Sequence, residues 1–283
     1  MNRKEKSLFS LIVLLAFSLS FGTANAKVEK VLGSVAINNN PNIAFQTETD
    51  QSEIIISRDQ YVISYNKNRR TPNWVAWKLE SSDMGTFKRS NAFAQDSELE
   101  NYLSHSGNGH AVNPDEYKNS CFDRGHQIPS ADRTQSKANN EATFVMSNMI
   151  PQTPYLNRVI WEHLESYTRN LVHQGKKVYI IAGPIFDENF GAIGPHNDIQ
   201  VPSKDFKIIV VLNADQSPQD INSSTQIISV VMPNVQEDGS PIAVDENNCQ
   251  PFKLSAAQNT NDWQSYRTDV SEIEKLSGLH FSF

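Results

Sequence analysis

The run Asp123-Arg124-Gly125-His126-Gln127-Ile128-Pro129-Ser130-Ala131-Asp132-Arg133, followed by Ser147-Asn148-Met149-Ile150-Pro151-Gln152-Thr153-Pro154-Tyr155-Leu156-Asn157 and then Trp161, Leu164 and Glu165, decides how this chain is read. The first block sets an acid, a guanidinium and an imidazole within four residues, with Gly125 where the chain can bend. The second reads as a strand, a loop broken by Pro151 and Pro154, and a helix from Leu156 to about Val172. Leu156, Val159, Ile160, Leu164 and Leu171 fall near helical spacing and predict its buried face. Asn157, Trp161, Glu165 and Arg169 recur every four residues along one side. Arg, His, Asn and Glu together can hold a phosphate, activate a water and seat a hard cation. The expected unit is a strand pair followed by a helix, with His126 on the strand side and Asn157 on the helix side.

Outward from this unit, Ile54-Ile55-Ile56 and Tyr61 to Tyr65 flank Arg58-Asp59-Gln60 and predict a β-hairpin. Trp74 to Leu79, Lys177 to Pro184, Phe206 to Leu212 and Gln226 to Met232 predict further strands, and Ala142 to Ile150 predicts another around Thr143-Phe144-Val145-Met146. Ser271 and Glu274 fit a capping box for a short helix, Glu272 to Leu276, stopped by Gly278. The expected class is α+β: a mixed, mainly antiparallel central sheet flanked by helices. Ser81 to Asn119 is poor in regular patterning and is expected to be a functional loop. His105 to His110 resembles a metal-binding cluster, but no carboxylate or Cys completes a set, so a surface loop is the preferred reading.

Arg3, Lys4 and Lys6, the apolar run Leu8 to Phe21 and Ala24-Asn25-Ala26 form the three parts of a signal peptide. The expected divisions are residues 1–26 as signal, 27–53 as a polar arm and 54–283 as one catalytic domain. The expected location is secreted or periplasmic, without stable membrane association after cleavage. Loss of Arg3, Lys4, Glu5 and Lys6 with residues 1–26 takes the formal charge from −7 to −9. An acidic chain argues against gripping a polyanion by bulk charge, yet leaves room for an enzyme with a local positive cleft. The two cysteines, Cys121 and Cys249, predict one disulfide in an exported chain.

The Asp-Arg-Gly-His motif, with Ser-Asn, Pro-Gln, Leu-Asn, Trp and Leu-Glu behind it in order, resembles the DNA/RNA non-specific endonucleases of the ββα-metal type. These include secreted bacterial sugar-non-specific nucleases and the endonuclease G group. Asn73-Trp74 adds to the likeness, which runs from about Ile54 to the C-terminus. The resemblance implies DNA and RNA as substrates, cut without strong sequence preference to leave 5′-phosphate and 3′-hydroxyl ends. It implies His126 as general base and Asn157 as ligand of Mg²⁺, with Mn²⁺ as a substitute. Glu165 would orient the metal's waters, Asp123 would support the site, and Asn148 would orient His126 or a water. Arg124, Arg89 and Arg169 are the candidate phosphate contacts, with Lys88 a rival to Arg89 and an ion pair to Glu165 a rival role for Arg169. No protein partner is implied. The competing readings are a nuclease of the same fold restricted to single strands or RNA, and a silent secreted nucleic-acid-binding module.

Overall fold

The computed structural model describes residues 28–35, 40–43, 46–49, 53–242 and 263–282. The expected signal peptide and Cys249 lie outside the described residues. In chain order the described strands are β1 (Val28–Leu32), β2 (Gln46–Thr49), β3 (Glu53–Ser57), β4 (Val62–Asn66), β5 (Thr71–Leu79), β6 (Asp123–His126), β7 (Met149–Gln152), β8 (Lys176–Ile185), β9 (Ala192–Ile193), β10 (Ile199–Gln200), β11 (Lys204–Asn213), β12 (Gln226–Pro233) and β13 (Leu279–Ser282). The described α-helices are α1 (Ser97–Ser106), α2 (Lys137–Ala142), α3 (Trp161–His173) and α4 (Val270–Ser277).

Seven strands form the main sheet in the order β1-β3-β4-β5-β8-β11-β12, antiparallel throughout except for the parallel β1–β3 pair. This is the α+β, mainly antiparallel class that the apolar runs predict. The runs in β8 and β11 are apolar on both faces because both faces are covered. On one side Ile54, Ile63, Trp77, Ile180 and Ile209 pack with Leu156, Ile160, Trp161 and Leu164 of the helix after β7. On the other, Ile55, Trp74, Ile181, Phe206 and Ile208 pack with Ile273, Leu279 and Phe281 from the C-terminal helix and strand. Successive strand residues point to opposite faces, so each run feeds two cores.

Several segments differ from expectation. The stretch read as a polar arm contributes β1 to the main sheet and β2, which pairs with β13. The expected structureless segment before Asn119 contains α1, capped by Asp96 and closed by left-handed Gly107, with only Leu99 and Leu103 buried. Two apolar residues one turn apart are too few to stand out as a periodic stripe. Ala142 to Met146 is not a strand: α2 ends at Ala142 and a 3-10 turn, Met146–Asn148, precedes β7. β7 instead runs through Pro151, which a two-stranded ribbon tolerates because one edge of each strand is unpaired. The terminal helix begins at Val270 with Asp269 as N-cap residue, so the Ser271 capping box does not form; Glu274 accepts from the Phe281 backbone instead, at 2.8 Å.

Candidate active site

β6 and β7 pair antiparallel, with Gly125 opposite Ile150 and His126 opposite Met149. Gly125 is required by contact: a Cβ built there would lie 2.2 Å from Oε1 of Gln152. Gln152 Nε2 and Gln127 Nε2 both donate to Oδ2 of buried Asp205 in β11, at 2.6 and 3.0 Å. The two strands are thus tied from beneath to the central sheet.

After β7, Thr153 starts the helix by accepting from Leu156 N through Oγ1, and Pro154 occupies the first turn, where its missing N–H is not needed. Leu156–Ile160 is a π-helical turn, in which Trp161 N–H reaches the Leu156 carbonyl, and α3 continues from it. Such single wide turns inside helices often mark functional positions, and Asn157 sits in this one.

His126, Asn157, Glu165, Asp123, Arg89 and Arg124 line one cleft of about 620 Å³. His126 is 6% exposed, and its ring meets Phe144 and Phe93 edge-on, at centroid distances of 4.8 and 5.5 Å. Each of those rings carries an arginine: Arg89 lies 4.9 Å from the Phe144 centroid and Arg124 3.9 Å from that of Phe93. Burial, then the positive field of Arg89, push the imidazole down to about 3, against a hydrogen bond to the Arg124 backbone. Nε2 has no hydrogen-bond partner among the described residues, so the ring stands neutral with an unspent nitrogen.

Asn157 donates through Nδ2 to Asp123 Oδ2 at 2.8 Å. The amide nitrogen is thereby occupied, and the residue lines the cleft. Arg158 is the bidentate partner of Asp123, at 2.7 and 2.6 Å. Arg124 stacks on Phe93 and is not the ion-pair partner of its neighbour. Arg89 is steadied by Asn91 at 2.7 Å and Ser130 at 3.1 Å. Asn148 is fully buried and turned to backbone: it accepts from Ile128 N and donates to the carbonyls of Ile128 and Thr143. Arg169 lies behind Glu165, shared among Asp132 at 3.4 Å, Glu162 at 3.6 Å and Glu165 at 3.9 Å.

Burial pushes the Glu165 carboxyl up to about 7, and Lys207 and Arg169 pull against that rise. Lys207 is 2% exposed, with Nζ 4.0 Å from the Trp161 ring centroid and 3.8 Å from Glu165 Oε1. Neither Lys207 nor Asp205 is among the candidates that the sequence suggests. The available signal was a lysine and an aspartate inside the otherwise apolar strand β11. Phe93 and Phe144 were legible only as hydrophobic residues.

A ribbon and helix converging on a neutral histidine, an asparagine amide and flanking arginines form a ββα arrangement on a mainly antiparallel sheet. The chain belongs to the DNA/RNA non-specific endonuclease family, whose sequence profile matches residues 38–282. It is 38% identical over 245 residues to a nuclease of Nostoc sp., covering 86% of this chain and 78% of that protein. It is 31% identical over 193 residues to mitochondrial endonuclease G of Bos taurus, covering 64% of this chain and 60% of that one. A crystal structure of the EndoG/EndoGI complex superposes with a TM-score of 0.62 at 25% identity, over 80% of this chain and 84% of that chain. The protein is accordingly a nucleic-acid-hydrolysing endonuclease.

Proposed function

We propose that this chain is an exported, Mg²⁺-dependent endonuclease that cuts DNA and RNA through His126 and Asn157 and leaves 5′-phosphate ends. The observation that carries this reading is neutral His126, whose buried Nε2 has no partner among the described residues, lining the same cleft as an asparagine amide whose nitrogen is already held. His126 takes the proton of the attacking water. Its low proton affinity rises when a phosphodiester anion enters beside it, because opposite charge favours the imidazolium.

The residues fit a hard cation. Asn157 supplies one neutral oxygen, and Glu165 presents a carboxylate in the same cleft for the ion's retained waters. Bound there, Mg²⁺ would neutralise the phosphate and favour departure of the leaving oxygen. Asp123 acts by holding the Asn157 amide, with Arg158 fixing Asp123. Arg89 and Arg124 contact the phosphate, while Arg169 works through Glu165. Asn148 acts by locking the backbone that follows His126. Contacts aimed at phosphate carry no base information, which suits cleavage without sequence preference. Residues 1–26 direct export, and Cys121 pairs with Cys249 to brace the segment entering β6.

The test is circular plasmid DNA with Mg²⁺, with and without EDTA, beside His126→Ala and Asn157→Ala. Fragmentation abolished by EDTA and by either substitution supports the reading. Plasmid left intact across several divalent metals, with a gel shift retained, would favour the silent binding module.

A further inference from the structure

Beneath the cleft, alternate residues of β11 carry charge toward α3. Asp205 is fully buried and Lys207 is 2% exposed, on a strand whose next residues on that face, Ile209 and Val211, belong to the apolar core. A buried ammonium is costly unless something compensates it. Lys207 Nζ lies 4.0 Å from the Trp161 ring centroid and 5.6 Å from that of Trp77, on indole faces that attract a cation. Its ion-pair partner is Glu165 Oε1, at 3.8 Å. Arg169 approaches the other oxygen, Oε2, at 3.9 Å.

Both distances exceed hydrogen-bonding range. The carboxylate is charge-compensated from behind while, among the described residues, no hydrogen bond takes up its lone pairs. Its exposed part, 12% of the side chain, belongs to the wall of the cleft. We propose that Lys207 is a positioning residue for hydrolysis: from beneath the site it keeps the Glu165 carboxylate charged and aimed at the cleft without consuming its acceptor capacity. Asp205, two residues earlier, braces Gln127 and Gln152. One strand thus serves all three parts of the ββα unit. This inference rests on the nuclease reading of the cleft.

The charged groups facing Glu165 are Lys207 and Asp205 from β11, Arg169 and Glu162 from α3, Asp132 from the turn after Pro129, and Arg89 from the loop across the cleft. Loss of Lys207 leaves burial and the three acids opposed by fewer cations, so Glu165 holds its proton to higher pH. Lys207→Met and Lys207→Gln, neutral replacements of different polarity, test this beside Glu165→Gln and the double variant Lys207→Met/Glu165→Gln. The readouts are thermal melting, calorimetric Mn²⁺ binding to the metal-free protein, and plasmid cleavage between pH 6 and 9.

The expected result is folded protein, Mn²⁺ binding and cleavage at pH 7 reduced about 10- to 100-fold, and an acid limb moved to higher pH. Lys207→Met should then add nothing on the Glu165→Gln background, because a residue acting through Glu165 has no further effect once that carboxylate is gone. Cleavage and Mn²⁺ affinity within two-fold of wild type, or equal losses on both backgrounds, would overturn the proposal. Wild-type protein that cleaves nothing would instead remove the nuclease reading, and an undiminished Glu165→Gln would remove the role of Glu165. Either result takes the proposal down with it.

Discussion

Replacing Gly125 by Ala tests why the motif needs glycine between its arginine and histidine. The backbone there is ordinary strand, so the objection is spatial. The new Cβ would stand 2.2, 2.4 and 2.5 Å from Oε1, Cδ and Cγ of Gln152. Gln152 is fully buried and donates to Asp205 at 2.6 Å, so it cannot step aside and keep that bond. Overpacking costs about 1–3 kcal/mol. Loss of a hydrogen bond to a charged group costs about 1.5–3 kcal/mol. The two are partly alternatives, so Gly125→Ala should lose about 2–4 kcal/mol. The measurement is urea unfolding of metal-free protein, read as a lower midpoint at unchanged slope. The double variant Gly125→Ala/Gln152→Ala should lose less than the sum of its singles by about 1 kcal/mol or more, because shortening Gln152 removes the clash. A single variant within about 0.5 kcal/mol of wild type, or simple additivity in the double, would refute the argument.

Acid should weaken the fold through His126. The unfolded chain takes up a proton near the ordinary 6.5, whereas the folded imidazole resists until about 3. Stability from this group is therefore whole above 6.5 and declines as pH falls toward 3. Unfolding midpoints of wild type and His126→Gln, compared across that window, should converge on acidification; parallel curves would contradict a neutral buried ring. Asp123→Asn should cut Mg²⁺-supported cleavage about 10- to 100-fold, because the amide cannot hold both Asn157 and Arg158 as the carboxylate does. Arg158→Ala should change stability by less than about 1 kcal/mol, since its side chain is 55% exposed. Equal losses of activity in the two variants would show that Arg158 itself meets the substrate.

The sequence by itself determined the class and the motif. Long apolar runs such as Val178 to Ala182 and Ile208 to Leu212 specify strands whatever surrounds them, and Asp123 to Glu165 is nearly contiguous, so local spacing carries its strand, turn and helix. His126 and Asn157 were legible because their residue types stand in that spacing. Only the tertiary structure decided what surrounds them. Phe93 and Phe144 flank the imidazole from separate segments, Arg158 takes the acid that Arg124 follows in the chain, and α1 declares only two buried leucines. Most of all, Asp205 and Lys207 reach the site from a strand well beyond the helix in the chain, β11 starting at Lys204 where α3 ends at His173. No local periodicity encodes such contacts: a lysine in an apolar strand gains its partner, Glu165, only when the sheet and α3 close over it and exclude water.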